Sequence, residues 1–371
     1  MRIALDCRIA HYTRGGTAVY TERLVDALLR LPQAAAHRWL ILEAGKAGAS
    51  PWDRLPAGSS RGRLWTPSHH RWEQALLPVE LGWRSIDVLH SPDYIPPFRR
   101  RCRSVITVHD LAFLRWPELL TPASRAYFNG QIDRAVRSAD RIIAVSHATK
   151  ADLMELLHVP AEKIDVVHEA AGPGLTPLHR SVVEGWLDRN GLPRDYVLFV
   201  GTFEPRKNLP RLVAAFGLLR ERGYEGKLLL AGSPGWLAEP LFEEIERRRL
   251  GAEVVQREIT AENLPYLYNG ARLLAFPSLY EGFGLPVLQA MACGTPVVTA
   301  SSSSLPEVAG DAALLVDPED VQALADAMAR VIGDAALSAS LRNQGPARAA
   351  QFSWERTAVE TLAVYERAAG S

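Results

Sequence analysis

Glu281 sits on a glycine-rich turn, Glu281-Gly282-Phe283-Gly284-Leu285-Pro286, within the segment FPSLYEGFGLPVLQAMACGTPVV that runs from Phe276 to Val298. Pro286 falls where a helix can begin, since a first-turn proline loses no intrahelical hydrogen bond. A small-residue helix then leads to the turn Cys293-Gly294-Thr295-Pro296 and a β-branched strand start, Val297-Val298. One carboxylate beside the bare N–H groups of a helix N-terminus suits an anionic or hydroxyl-rich ligand. Glycine at 282 and 284 lets such a ligand approach the backbone. If this is half of a binding site, the rest of the chain must supply the other half.

Four further constellations follow predicted strands. Arg14-Gly15-Gly16-Thr17 opens a helix after the first strand. Its N–H groups could meet a phosphate or hydroxyl, or the loop could be a plain one capped by Thr17. It does not match G-x-G-x-x-G, which disfavours a dinucleotide fold. Val108-His109-Asp110 ends a β-branched run, and Asp110 could orient the imidazole or cap the next helix. His90, closing Val88-Leu89-His90, poses the same choice between a site and a structural role. Gly201-Thr202-Phe203-Glu204-Pro205-Arg206-Lys207-Asn208 follows the run Tyr196–Val200. Arg206 brings a planar fork and Lys207 a mobile point charge, a pair suited to a leaving diphosphate; a solvated basic turn is the plainer reading. Ala231-Gly232-Ser233 either borders a nucleotide or is a simple strand exit. The run Arg99-Arg100-Arg101-Cys102-Arg103 could face an anionic membrane or an acidic acceptor, or stand as a solvated loop. Arg247-Arg248-Arg249 reads as an exposed helix end.

These loops need strands to hold them. Short apolar runs at Arg2–Asp6, Trp39–Leu42, Val88–His90, Ser104–His109, Arg141–Val145 and Ile164–Val167 predict six strands in the first half. The second half repeats the pattern at Tyr196–Val200, Lys227–Ala231, Glu253–Val255, Leu273–Phe276, Val297–Thr299 and Ala313–Val316. Helical patterns intervene, including Thr17–Leu31, Ala123–Ser138, Leu209–Arg222 and Pro318–Ile332. Such alternation predicts α/β architecture with parallel sheets covered on both faces, as two doubly wound domains. Glycine and proline concentrate over Ala170–Asp195, which marks the boundary. The expected domains are 1–172 and 190–352, with 173–189 as linker. A C-terminal helix over 353–371 carries Trp354, Ala358, Leu362 and Tyr365 on one stripe.

At 371 residues the chain has room for two domains. Lys+Arg and Asp+Glu balance at 42 each, without the basic excess that nucleic-acid binding favours. Cys7, Cys102 and Cys293 have no metal or disulfide spacing, which fits a reducing cytoplasm. The start, MRIALDCRIA, reads as a strand rather than a signal peptide. No apolar stretch of about 18 residues predicts a membrane span, and peripheral contact with the inner face of a membrane stays compatible with the sequence.

Along nearly its whole length the chain resembles the retaining glycosyltransferases of GT-B fold called family four, which include bacterial mannosyl- and glucosyltransferases. The markers are Gly15-Gly16, His109-Asp110, Glu204-Pro205-Arg206-Lys207-Asn208, Glu281-Gly282-Phe283-Gly284-Leu285-Pro286 and Phe352-Ser353-Trp354-Glu355. The resemblance implies two Rossmann-like domains facing across a cleft, with the C-terminal helix crossing back to the first. It implies that Gly15 and Gly16 lie by the donor phosphate and acceptor, and that His109 contacts the transferred sugar. Arg206 and Lys207, beside Gly201, would hold the nucleotide diphosphate. Glu281 would grip a donor-sugar hydroxyl, assisted by backbone N–H groups of Phe283, Gly284 and Leu285. A second acid eight residues beyond Glu281 would bind ribose, but this chain carries Gln289 there. An amide offers one acceptor and one donor group where a carboxylate only accepts.

The implied reaction moves a hexose from a GDP-mannose or UDP-glucose type donor to a hydroxyl of a glycan, lipid-linked or small-molecule acceptor. Arg206, Lys207 and a helix N-terminus would replace a metal, and no other cofactor is expected. Alternatives on the same fold are a sugar-nucleotide epimerase or hydrolase and a non-catalytic nucleotide-sugar-binding protein.

Overall fold

A computed structural model describes the chain apart from residues 13–14, 47–49, 51, 53–54, 118–129, 259 and 371. It comprises two compact units, Met1–Glu169 with Ser353–Ser371, and Ala170–Phe352.

In the first unit the described strands are β1 (Arg2–Asp6), β2 (Arg38–Ala44), β3 (Ser60–Leu64), β4 (Val88–Ser91), β5 (Arg103–Val108), β6 (Arg141–Ala144) and β7 (Ile164–Val166). All pair in parallel, in the order β3-β2-β1-β4-β5-β6-β7. The second unit holds β8 (Tyr196–Val200), β9 (Lys227–Ala231), β10 (Val254–Arg257), β11 (Leu273–Phe276), β12 (Val297–Ala300) and β13 (Leu314–Val316). Its parallel order is β10-β9-β8-β11-β12-β13. The central strands β4, β8, β11 and β12 are buried at every residue, and β8 and β11 read as unbroken apolar runs.

β3 was not foreseen from the sequence. Its residues, SRGRL, contain two arginines and a glycine and no apolar run. It pairs only with β2, and only Gly62 and Leu64 turn inward, so an edge position spares it the apolar run that central strands need.

Each strand order reverses direction once, between β1 and β4 and between β8 and β11. Loops leaving the carboxyl ends of two such strands diverge to opposite faces and open a crevice, the usual ligand position in doubly wound sheets.

The helix Trp354–Gly370 belongs to the first unit. Ala358, Leu362, Tyr365 and Ala368 join Tyr20, Leu24 and Leu28 of helix Gly16–Arg30 in one core. Within 173–189, Arg180–Arg189 is a helix of the second unit, where Trp186 stacks on Tyr266 at 4.9 Å. Of the helix expected over Ala123–Ser138, residues 123–129 lie outside the described residues, and Ile132–Ser138 is helical. No helix among the described residues is long and apolar enough to cross a membrane.

Candidate active site

The second unit brings Arg206, Lys207 and Glu281 together. β8 ends at Val200, and Gly201 follows at φ 146°. Opposite it, Gly232 has φ 156°, and a Cβ there would lie 2.0 Å from the Gly201 carbonyl oxygen, so the fold itself demands this glycine. The turn Pro205–Lys207 comes next, closed by Asn208 in the left-handed region at φ 61°. Asn208 Nδ2 donates to the Pro277 carbonyl at 3.0 Å and the Pro318 carbonyl at 2.7 Å. Leu279 N–H donates to the Arg206 carbonyl at 2.8 Å. These bonds tie the loop after β8 to the loops after β11 and β13.

The side chains then converge. Lys207 Nζ donates to Glu281 Oε1 at 2.6 Å. Arg206 Nη1 donates to Glu281 Oε2 at 3.0 Å, and its Nε to Glu204 Oε2 at 3.0 Å. Lys207 also stands over the Phe276 ring at 5.1 Å. Two cations thus face two carboxylates, a neutral cluster that is largely buried. Burial alone would raise the Glu281 pKa, yet the Lys207 and Arg206 charges hold it below the usual carboxylate value. Burial, with Arg206 beside it, draws the Lys207 ammonium below its ordinary pKa, and Glu281 limits that fall.

Serines fix the turn that carries Glu281. Ser303 Oγ accepts from Glu281 N–H at 2.9 Å. Ser304 Oγ contacts the carbonyls of Glu281 and Phe283 at 2.9 and 2.8 Å. Gly284, at φ 106°, begins helix Leu285–Ala292, and no side chain caps that helix. The positive end of its dipole therefore starts on the turn that carries Glu281. Gln289, half-buried on the same helix, accepts from the Tyr268 hydroxyl through Oε1 at 2.9 Å. Its amide nitrogen carries two further donor hydrogens.

In the first unit, Gly15 caps helix Gly16–Arg30, so Thr17 lies inside the helix rather than at its cap. A Cβ on Gly16 would touch nothing within 4 Å, which leaves open space at the helix start. Arg14 lies outside the described residues.

His109 follows β5. Its Nε2 donates to the Pro92 carbonyl at 2.9 Å and its Nδ1 pairs with Glu169 Oε1 at 3.1 Å. Tyr20 packs edge-on against the imidazole at 4.8 Å. Burial opposes charge on this ring, but Glu169 outweighs it and raises the pKa above the usual histidine value. Both nitrogens face oxygen acceptors, an arrangement that favours the charged ring. Asp110 does not orient it, because Oδ1 of Asp110 accepts from Ala112 N–H at 3.0 Å and starts the next turn. The orienting acid is Glu169, missed in the sequence because it lies 60 residues away after another strand.

His90 takes a different place. It is fully buried, with Nδ1 against Tyr365 Oη at 2.6 Å and Nε2 against Thr107 Oγ1 at 2.8 Å. Burial holds its pKa down at about 3, so it is a neutral member of the core. The hydroxyl of Tyr20 reaches the same Thr107 at 3.2 Å.

Comparison with known proteins matches both units. Residues 14–170 match the family described as Glycosyltransferase Family 4, and residues 188–348 match Glycosyl transferases group 1. The chain is 35% identical over 339 residues to O-antigen chain mannosyltransferase B of Escherichia coli, covering 86% of this chain and 89% of that one. It is 31% identical over 286 residues to the serotype-specific mannosyltransferase WbdA of Escherichia coli, covering 72% of this chain but 34% of that longer relative. The fold is similar to that of Anabaena Alr3699/HepE in complex with UDP and glucose, with a TM-score of 0.78, 19% identity and coverage of 99% and 100% of the two chains. A relative this similar over most of both lengths, together with two parallel-sheet units of the expected topology, places the chain in family four of the GT-B-fold glycosyltransferases.

Proposed function

We propose that this glycosyltransferase moves mannose from GDP-mannose to a hydroxyl of a glycan or lipid-linked acceptor, with retention at the anomeric carbon and without a metal. A UDP-hexose is the alternative donor. The observation that carries this reading is the Arg206–Lys207–Glu281 cluster beside the N-terminus of helix Leu285–Ala292, at the strand-order reversal of the second unit. Mannose is favoured because both curated relatives above are mannosyltransferases. The solved neighbour with UDP and glucose supports the alternative.

The bond from the sugar C1 to the diphosphate oxygen breaks, and a bond from C1 to the acceptor oxygen forms on the same face. The acceptor proton passes to the leaving phosphate, which departs with the bond's electron pair. Arg206 and Lys207 exchange part of their pairing with Glu281 for phosphate oxygens, and the freed carboxylate accepts from a sugar hydroxyl. These cations and the helix N–H groups stabilise the growing charge, each such donor contributing about 3 kcal/mol. His109, its two ring nitrogens held by Pro92 and Glu169, contacts the transferred sugar near the reacting carbon. Gly15 and Gly16 leave room for acceptor or phosphate at their helix start. Three free thiols suit a cytoplasmic setting.

The test is turnover of GDP-mannose and UDP-glucose with candidate acceptors, in excess chelator, with the product anomer read by NMR. Transfer with retained configuration is expected. Lys207→Ala should abolish donor turnover. An inverted product, a strict requirement for added divalent metal, or donor hydrolysis with no transfer to any acceptor would each sink the proposal.

A further inference from the structure

We propose that the first unit carries a surface that docks on an anionic phospholipid bilayer, built from helix Glu73–Gly82 and the arginine run Arg99–Arg101. This inference does not depend on the donor or on the stereochemistry proposed above.

The helix buries one face and turns an apolar one outward. Leu77 and Leu81 pack with Leu42, Leu64 and Leu89 in the core. Trp72, Leu76, Val79 and Trp83 recur at i, i+4, i+7 and i+11, so they form one stripe along the helix. Their exposures are 55%, 50%, 61% and 89%. The backbone N–H of Trp65, itself 76% exposed, donates to Glu80 Oε2 of the same helix at 2.7 Å. Isolated exposed apolar residues are ordinary, but a row of four with two tryptophans marks an interaction surface.

The chemistry of its flank selects the occupant. Val79 and Trp83 share a cavity of about 710 Å³ with Phe98, Arg84, Arg99 and Arg100. No carboxylate is among its lining residues, which also include Arg101. Arg84 Nε and Arg100 Nε are buried without a hydrogen-bond acceptor, although other nitrogens of both guanidinium groups bond to the Arg63, Pro97 and Ser138 carbonyls. Arg99 and Arg101, both exposed at this cavity, present the guanidinium groups that a lipid phosphate can reach. Aromatic rings settle at the level of lipid headgroups, and arginine stems lie along apolar surface while their heads reach phosphate. An apolar stripe edged by arginines therefore fits a helix lying in the plane of an anionic membrane surface. The basic run, which the sequence left between a solvated loop and a membrane contact, gains its meaning from the tryptophan stripe beside it.

The experiment is co-sedimentation of the full chain with phosphatidylglycerol and with phosphatidylcholine vesicles, alongside tryptophan emission. Binding to phosphatidylglycerol with a blue shift is expected, weakened by salt and much weaker on phosphatidylcholine. Arg99→Ser/Arg101→Ser should lose affinity by roughly fivefold for each guanidinium removed. Trp72→Ser/Trp83→Ser should lose the blue shift and at least about tenfold in affinity. Both double variants alter exposed positions and should keep the wild-type melting temperature and donor-induced thermal shift, so failure of the donor assignment would not mimic failure here. Absence of vesicle binding, binding indifferent to lipid charge, or full binding by both variants overturns the proposal. So does self-association through the stripe, seen by ultracentrifugation and abolished in the tryptophan variant, without any vesicle binding.

Discussion

Lys207 and Glu281 lie 74 residues apart in sequence and meet at 2.6 Å. They meet because β8 and β11 are adjacent strands, and each residue sits on the loop that leaves one of them. The diphosphate-binding cation and the sugar-binding acid of the proposed mechanism therefore neutralise each other until a donor arrives.

Removing one member of this buried pair leaves the other charge poorly compensated. Lys207→Met should destabilise the second unit by about 3 kcal/mol, since Arg206 still serves one oxygen of Glu281. Lys207→Met/Glu281→Gln should recover most of that loss. Urea unfolding of the single and double variants measures the coupling, and a double variant no more stable than Lys207→Met would refute it.

Acid should weaken the same unit through Glu281. Its folded pKa lies below the ordinary value, so it contributes stability that is present above the unfolded pKa of about 4.3 and is lost as pH falls through the folded value. Glu281→Gln should therefore show a flatter stability profile on the acid side. Superimposable acid limbs for the two proteins would contradict the assignment.

His109 and Glu169 give the opposite sign in the first unit. The His109 pKa is raised, so its contribution is full below about 6.5, the unfolded value, and disappears as pH rises through the folded one. Glu169→Gln removes the charge that outweighs burial and should drop the His109 pKa below the ordinary histidine value. NMR titration of the imidazole reads this directly. An unchanged pKa would show that Glu169 does not orient the ring.

Gln289→Glu should bind the nucleoside diphosphate as tightly as wild type or more tightly. A carboxylate there keeps the hydrogen bond from Tyr268 and adds a second oxygen that accepts from ribose hydroxyls. Calorimetry with the nucleotide provides the test. Markedly weaker binding would mean that the amide N–H groups of Gln289 donate to the ligand.

Much of the site was legible locally. Glu281 with its glycines, the Arg206-Lys207 turn and His109 were all found as loops following apolar strands, and each does follow a strand. Thr17 and Asp110 were harder, because capping depends on where a helix begins. Glu169 and Tyr268 were invisible, since nothing near either residue announces a partner 60 or 21 positions away. β3 escaped because a half-covered edge strand lacks the apolar run that signals a central one.

The sequence by itself determined the alternation of strands and helices, the two-part organisation and the residue types available at each strand exit. Those are properties of short windows, set by apolar periodicity and by where glycine and proline interrupt it. Only the tertiary structure decided which exits become neighbours. Strand order is fixed by the packing of whole sheets, and it is the order β8-β11 that joins Lys207 to Glu281. The same holds for Val79 and Trp83 of the apolar stripe and the arginine run, separate in sequence, which the fold brings to one cavity.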